Sequence, residues 1–166
     1  MRLYNILLFI FFSLLATSCS KDSPELIKHK KFRTVITYLA ANNNLNTEAY
    51  LNINQMEEAI GDVDGDMIVY ARLKGVNPAI YHIQSDNSSE IKSEKIKEYP
   101  PHNSSDPQVM RTILEDIKML YPSETYGLIL WSHASGWIPS DYGNIKLKSF
   151  GDDNGSNMDI KQLNHA

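Results

Sequence analysis

The chain has 166 residues, with 16 lysines and arginines against 20 aspartates and glutamates, and a net charge of −4. Its length fits one domain of ordinary globular composition, and the acidic balance provides no basic footprint for nucleic acid. Its single cysteine, Cys19, excludes an internal disulfide.

The first element is a positive start at Arg2 followed by an apolar run, Leu7–Leu15, broken only by Ser13. Spanning a bilayer takes about 20 apolar residues, so the run reads as a secretory signal and not as a transmembrane helix. The small residues Ala16, Thr17 and Ser18 then lead to Cys19. This ending resembles the bacterial lipobox, in which the peptidase cuts before an acylated cysteine. Ala16 stands where that signal more often has leucine. Ser20-Lys21-Asp22-Ser23 resembles the short tag after the lipid cysteine of surface-displayed lipoproteins in Bacteroides-type bacteria. The resemblance implies a lipoprotein signal peptide over 1–18, a lipid on Cys19, and export to the outer membrane, with surface display as one arrangement. The alternative is a plain secretory signal with an incidental cysteine. Residues 19–32 are polar and charged and read as a tether, which leaves 33–166 for the folded domain.

Thr34–Leu39 (TVITYL) is β-branched and aromatic and predicts a strand. Asn42-Asn43-Asn44 forms a polar turn at its end. Ala49, Leu51, Ile53, Met56, Ala59 and Ile60 predict a helix from Thr47 to Ala59, stopped by Gly61. Asp66–Leu73 is a second strand and Ala79–Gln84 a third. Ile91–Tyr99 alternates weakly, as a hairpin or edge strand would. Asp106-Pro107 opens the clearest helix. Asp106 can cap it, and Pro107 occupies the first helical position, where a missing N–H is harmless. Val109, Ile113, Leu114, Ile117 and Leu120 make its apolar face, and Pro122 ends it. Tyr126–Trp131 is the next strand. Gly151–Asn157 reads as a loop, and Asp159 as the cap of a helix that begins at Ile160 and is still short at Ala166.

This order predicts an α/β fold with a largely parallel central sheet flanked by helices, incomplete at the C-terminus. Uniformly apolar strands imply cover on both faces, and function in such sheets collects at the carboxyl ends of the strands. His133 lies there, after YGLILW, and so do the three asparagines. An imidazole titrates near neutrality and serves as a general base. The small residues after it can offer backbone N–H groups to an oxyanion. The other reading of His133 is a core histidine bonding a backbone carbonyl. Ser132 is a poor nucleophile candidate, because neighbours on a strand point to opposite faces. Asp152, Asp153, Asn154 and Asp159, like Asp62, Asp64 and Asp66, miss the spacing of a helix–loop–helix calcium site and read as solvated turns. No metal and no cofactor is expected.

Thr34–Leu45 (TVITYLAANNNL) resembles the opening strand and loop of clostripain-like cysteine peptidases. YPSETYGLILWSHASGW resembles the segment of that family ending in Trp-x-His-Gly-x-Gly-Trp, and GDDNGSNMDIKQLNHA its Asp-rich loop and following helix. The resemblance implies a caspase-like fold, a histidine–cysteine dyad, and cleavage of protein or peptide substrates after Arg or Lys. By position His133 is the base, Ala134 stands at the oxyanion turn, and Asn43 lines the cleft. In the family the nucleophilic cysteine follows a later strand, so the missing C-terminal part of the domain is the partner that supplies it, and these 166 residues alone are expected to be inactive. Ala134 replaces the glycine of the family, and Asn42 and Asn44 replace aspartates. These departures also fit the alternative, a non-catalytic surface lipoprotein that keeps the peptidase fold as a binding module.

Overall fold

The computed structural model describes residues 30–61, 63–134 and 149–166. The signal run, Cys19, Gly136 and Trp137 lie outside them. The strands are β1 (Lys31–Ala41), β2 (Asp66–Leu73), β3 (Ala79–His82), β4 (Glu94–Glu98) and β5 (Ser123–Trp131), with a later pair, β6 (Ser149–Asp153) and β7 (Ser156–Asp159). The helices are α1 (Asn46–Ala59), α2 (Pro107–Leu120) and a single turn, α3 (Ile160–Leu163).

Five strands form one sheet in the order β4-β3-β2-β1-β5. β1 runs parallel to both β2 and β5, whereas β3 and β4 are antiparallel additions. The centre is buried on both faces: Tyr38, Leu39, Ala40, Val69 and Tyr70 are fully inaccessible. One face packs Ile36, Tyr38, Ile68, Tyr70 and Ile80 against Met110, Ile113 and Ile117 of α2. The other packs Leu39, Val69, Ala71 and Leu73 against Ala49 and Ile53 of α1. This is the helix-covered, mainly parallel layer expected for a caspase-like fold.

Local chemistry explains the boundaries. The Asp106 carboxylate accepts from the Gln108 and Val109 N–H groups, with Pro107 at the first helical position. Asp159 and Gln162 close a reciprocal capping box around α3. Buried Glu57 of α1 accepts from the backbone N–H groups of Lys92 and Ser93, holding the segment before β4 against the helix.

Three expectations are corrected. β1 begins at Lys31, so it takes Lys31 and Phe32 out of the stretch read as tether. Gly151–Asn157 is not a loop but most of the β6–β7 hairpin. Asn154 (φ 53°) and Gly155 (φ 86°) form its two-residue turn, and both have the left-handed conformation that suits the twist of a tight hairpin. Finally, β5 is not covered on both faces: Tyr126, Leu128 and Ile129 are 37%, 47% and 46% exposed. Leu128 pairs with Ile36 on the α2 side of the sheet and Ile129 with Thr37 on the α1 side, so exposed apolar side chains lie on both faces of β5.

Gly151 also has a positive φ, and a Cβ there would lie 2.5 Å from the hydroxyl oxygen of buried Ser105. Gly151→Ala should therefore destabilise the protein by about 2 kcal/mol through backbone strain and overlap. Gly155→Ala, with the same strain but nothing within 4 Å of the new methyl, should lower the thermal midpoint less.

Candidate active site

Because β1 and β5 are adjacent and parallel, their carboxyl ends deliver two short segments to one rim: Asn42-Asn43-Asn44 after β1 and Ser132-His133-Ala134 after β5. The β6–β7 hairpin is laced to both. Ser132 Oγ donates to the Ala40 carbonyl (2.6 Å) and accepts from the Asp152 N–H (3.1 Å). The Gly151 N–H bonds the His133 carbonyl at 3.1 Å, the Asn154 N–H bonds the Asn42 carbonyl at 3.1 Å, and Ala134 bridges to Phe150. Ser132 is thus consumed in holding the rim together.

His133 itself is exposed. Its Nε2 lies 2.6 Å from Asn44 Oδ1. Exposed as it is, it is not a core histidine, and the partner of its Nε2 is a side chain. Ala134 has ordinary backbone geometry, since Asn154 is the one non-glycine residue with positive φ among the described residues. Alanine in place of glycine therefore strains nothing at that position. The bond from Gly151 uses the His133 carbonyl and not the Ala134 N–H.

The three asparagines, alike in sequence, have three different partners. Asn42 Nδ2 donates to Asp153 Oδ1 at 2.6 Å. Asn43 is turned onto main chain: its Nδ2 donates to the Asp152 carbonyl (2.6 Å) and the Ala40 carbonyl (3.3 Å), and its Oδ1 accepts from the Leu45 N–H (2.8 Å). Asn44 meets His133. Trp131 Nε1 donates to Asn52 Oδ1 at 2.8 Å, which ties the end of β5 to α1.

Asp153 was expected in a solvated turn; it is 6% exposed. Its Oδ2 accepts from the backbone N–H (2.6 Å) and hydroxyl (2.9 Å) of Ser104, and Arg72 Nε approaches to 3.4 Å. Burial alone raises this carboxyl, but the bonds from Asn42 and Ser104 and the Arg72 charge outweigh it and hold the group below the usual aspartate range. Nearby, Tyr70 and His102 Nε2 are 2.6 Å apart, and burial, then Arg72, lowers the imidazole. Sequence reasoning did not single out Arg72, His102 or Ser104. The Asn154-Gly155 dipeptide was the available signal for a hairpin that folds Asp153 back onto the sheet.

A groove of about 630 Å³ lies elsewhere, at the amino-terminal rim. Phe32, Val35, Met56, Ile60, Val63 and Met67 supply its apolar wall, and neither His133 nor Asn44 borders it. Its size does not make it the site; the convergent polar groups are at the other end of the sheet. Among the described residues, no group of three or more His, Cys, Asp or Glu side chains could hold a metal ion.

A model of the clostripain family matches residues 37–166. The chain belongs to the clostripain family. It is similar to a Bacteroides fragilis cysteine protease at 34% identity, covering 66% of this chain and 95% of that one with a TM-score of 0.57. It is 30% identical to a secreted cysteine protease from Bacteroides thetaiotaomicron, solved with an irreversible peptide inhibitor; the match covers 81% of this chain but 38% of that one, with a TM-score of 0.62. An inactive zymogen protease from Parabacteroides distasonis is 28% identical, with 68% and 34% coverage and a TM-score of 0.58. The chain therefore spans nearly all of one solved relative and well under half of two others. No curated protein matches. These relatives share the mostly parallel, helix-flanked core described above.

The Asp153 network makes a signed prediction. A carboxylate whose pKa is depressed by folding contributes stability above its unfolded pKa of about 3.9 and loses it as pH falls through the lower folded value. Denaturant unfolding followed at decreasing pH should show this loss below about pH 4. Asp153→Asn should lose about 3 kcal/mol at neutral pH, because Arg72 is left without its buried partner, and should flatten that part of the acid dependence.

Proposed function

We propose that the chain is the N-terminal part of an exported clostripain-like cysteine endopeptidase that cleaves after Arg or Lys. His133 is its general base, and the nucleophilic cysteine is supplied by polypeptide beyond these residues. The observation that carries the reading is an exposed imidazole held at the carboxyl rim of a mainly parallel sheet, in a chain of this family. In the reaction the cysteine thiol gives its proton to His133. The thiolate attacks the scissile carbonyl, and the imidazolium protonates the leaving amine; water then hydrolyses the thioester. The Ala134 N–H is an oxyanion donor, and Asn43 borders the cleft, its amide committed to the main chain.

The open side of β5 supports a place for the missing strand. A strand added parallel to β5 needs a crossover, and crossovers are right-handed. The step from β1 to β2 carries α1 on one face, so a step the other way from β5 carries its helix on the α2 face. α3 begins there: Leu163 and Ala166 pack against the cluster containing Ile113 and Ile117, and the Arg111 guanidinium donates to the His165 carbonyl. Exposed Leu128 and Ile129 then become the two-faced core beneath the added strand.

The N-terminal segments complete the reading. Residues 1–18 are a lipoprotein signal peptide, Cys19 carries lipid, residues up to about the start of β1 are a tether, and the enzyme is anchored at the outer membrane. Family membership and the secreted relative support export.

The natural full-length product, given peptide reporters ending in Arg or Lys, should release the reporter faster than from matched peptides ending in other residues. His133→Ala should reduce kcat by about a thousandfold while leaving thermal stability nearly unchanged, since the ring is exposed. A folded full-length product that cleaves none of these, or whose next strand carries no cysteine, would instead be the binding-module lipoprotein. Labelling of cells with a radioactive fatty acid should mark the native protein and not Cys19→Ser.

A further inference from the structure

Asn44 follows the end of β1 and immediately precedes the N-cap residue of α1, a region where an asparagine side chain usually turns back to bond helix N–H groups. Here the N-cap of α1 is Leu45, and no side chain caps it. The Asn44 carboxamide points to His133 instead, with Oδ1 at 2.6 Å from Nε2. An amide oxygen has no proton to give, so the proton of that bond sits on the imidazole Nε2.

Both partners are held before they meet. Asn43 clamps the turn on either side of Asn44, through the Leu45 N–H and the carbonyls of Ala40 and Asp152. The Gly151 N–H fixes the His133 backbone from the hairpin. The bond therefore restrains the rotation of the ring as well as its proton.

We infer that Asn44 is a positioning residue that keeps the His133 proton on Nε2 and so leaves Nδ1, with its lone pair, as the nitrogen free to take the proton of the nucleophile. This rests on the reading of His133 as the general base. Asn44 touches no reacting atom; it acts through the imidazole. Being neutral, it sets the tautomer and the ring angle without placing a carboxylate against the ring.

The test uses the natural full-length protein. Asn44→Leu should lower kcat for a Lys-ending reporter about ten- to a hundredfold with KM little changed. Asn44→Asp, which can still accept from Nε2, should recover most of the loss; a residue of merely structural importance would not show that pattern. Unchanged kcat in Asn44→Leu overturns the inference. The second measurement needs no variant at Asn44. In protein labelled with ¹⁵N-histidine, with His133→Gln for assignment, Nε2 of the neutral ring should carry the directly bonded proton and Nδ1 should resonate as the bare nitrogen. A proton on Nδ1, which an amide turned by half a rotation would produce, overturns it. If the native protein cleaves nothing, the proteolytic reading has failed while the spectrum still decides what Asn44 does to His133.

Discussion

A single buried carboxylate organises the working end of this molecule. Asp153 reaches from the hairpin to Asn42 after β1, Arg72 at the end of β2, and Ser104 ahead of α2. Three separate stretches of chain converge on the carboxylate of a fourth. A buried charge is tolerable only if its surroundings replace water, and here donors on each oxygen and a guanidinium do so. The same donors lose a partner if the hairpin leaves, so the hairpin and the strand ends stand or fall together. Such a network specifies one arrangement of the rim more than it adds net stability.

The geometry of His133 follows from that arrangement. Nothing in β5 alone directs the ring. Its backbone is set by Gly151 of the hairpin and its Nε2 by Asn44 of the β1 turn, while Ser132 beside it is spent on Ala40 and Asp152. The imidazole is exposed, yet the segments beside it are fastened by hydrogen bonds. Adjacent residues on β5 thus divide the labour between fastening and presenting.

What could be read in the sequence was what periodicity and punctuation encode. β2 has the expected bounds, Asp66–Leu73, because its apolar run ends in a Lys-Gly turn. α2 starts at Pro107 under an Asp106 cap, as local chemistry dictates. The position of His133 at a strand end was legible for the same reason. The hairpin was hidden by its Gly, Asp and Asn content, which matches that of a loop until Asn154-Gly155 is taken as a turn between two pairing strands. The burial of Asp153 had no local signature at all: its partners stand at positions 42, 72 and 104, and only the fold gathers them. The different tasks of Asn42, Asn43 and Asn44 were equally out of reach, since three identical side chains in a row carry no pattern. Exposure along β5 runs against its hydropathy because, among the described residues, it is an edge strand with β1 on one side alone.

The bare flank of β5 has a consequence for how the protein comes into being. Among the described residues β5 is an edge strand with exposed apolar side chains on both faces, and such an edge is an adhesive template for any extended peptide. An edge of this kind is most open to stray pairing while the chain is still folding. Early, independent collapse of the segment would invite misassociation with its own kind. Cover for such an edge therefore has to form quickly as the sheet closes, or be lent meanwhile by a holdase chaperone.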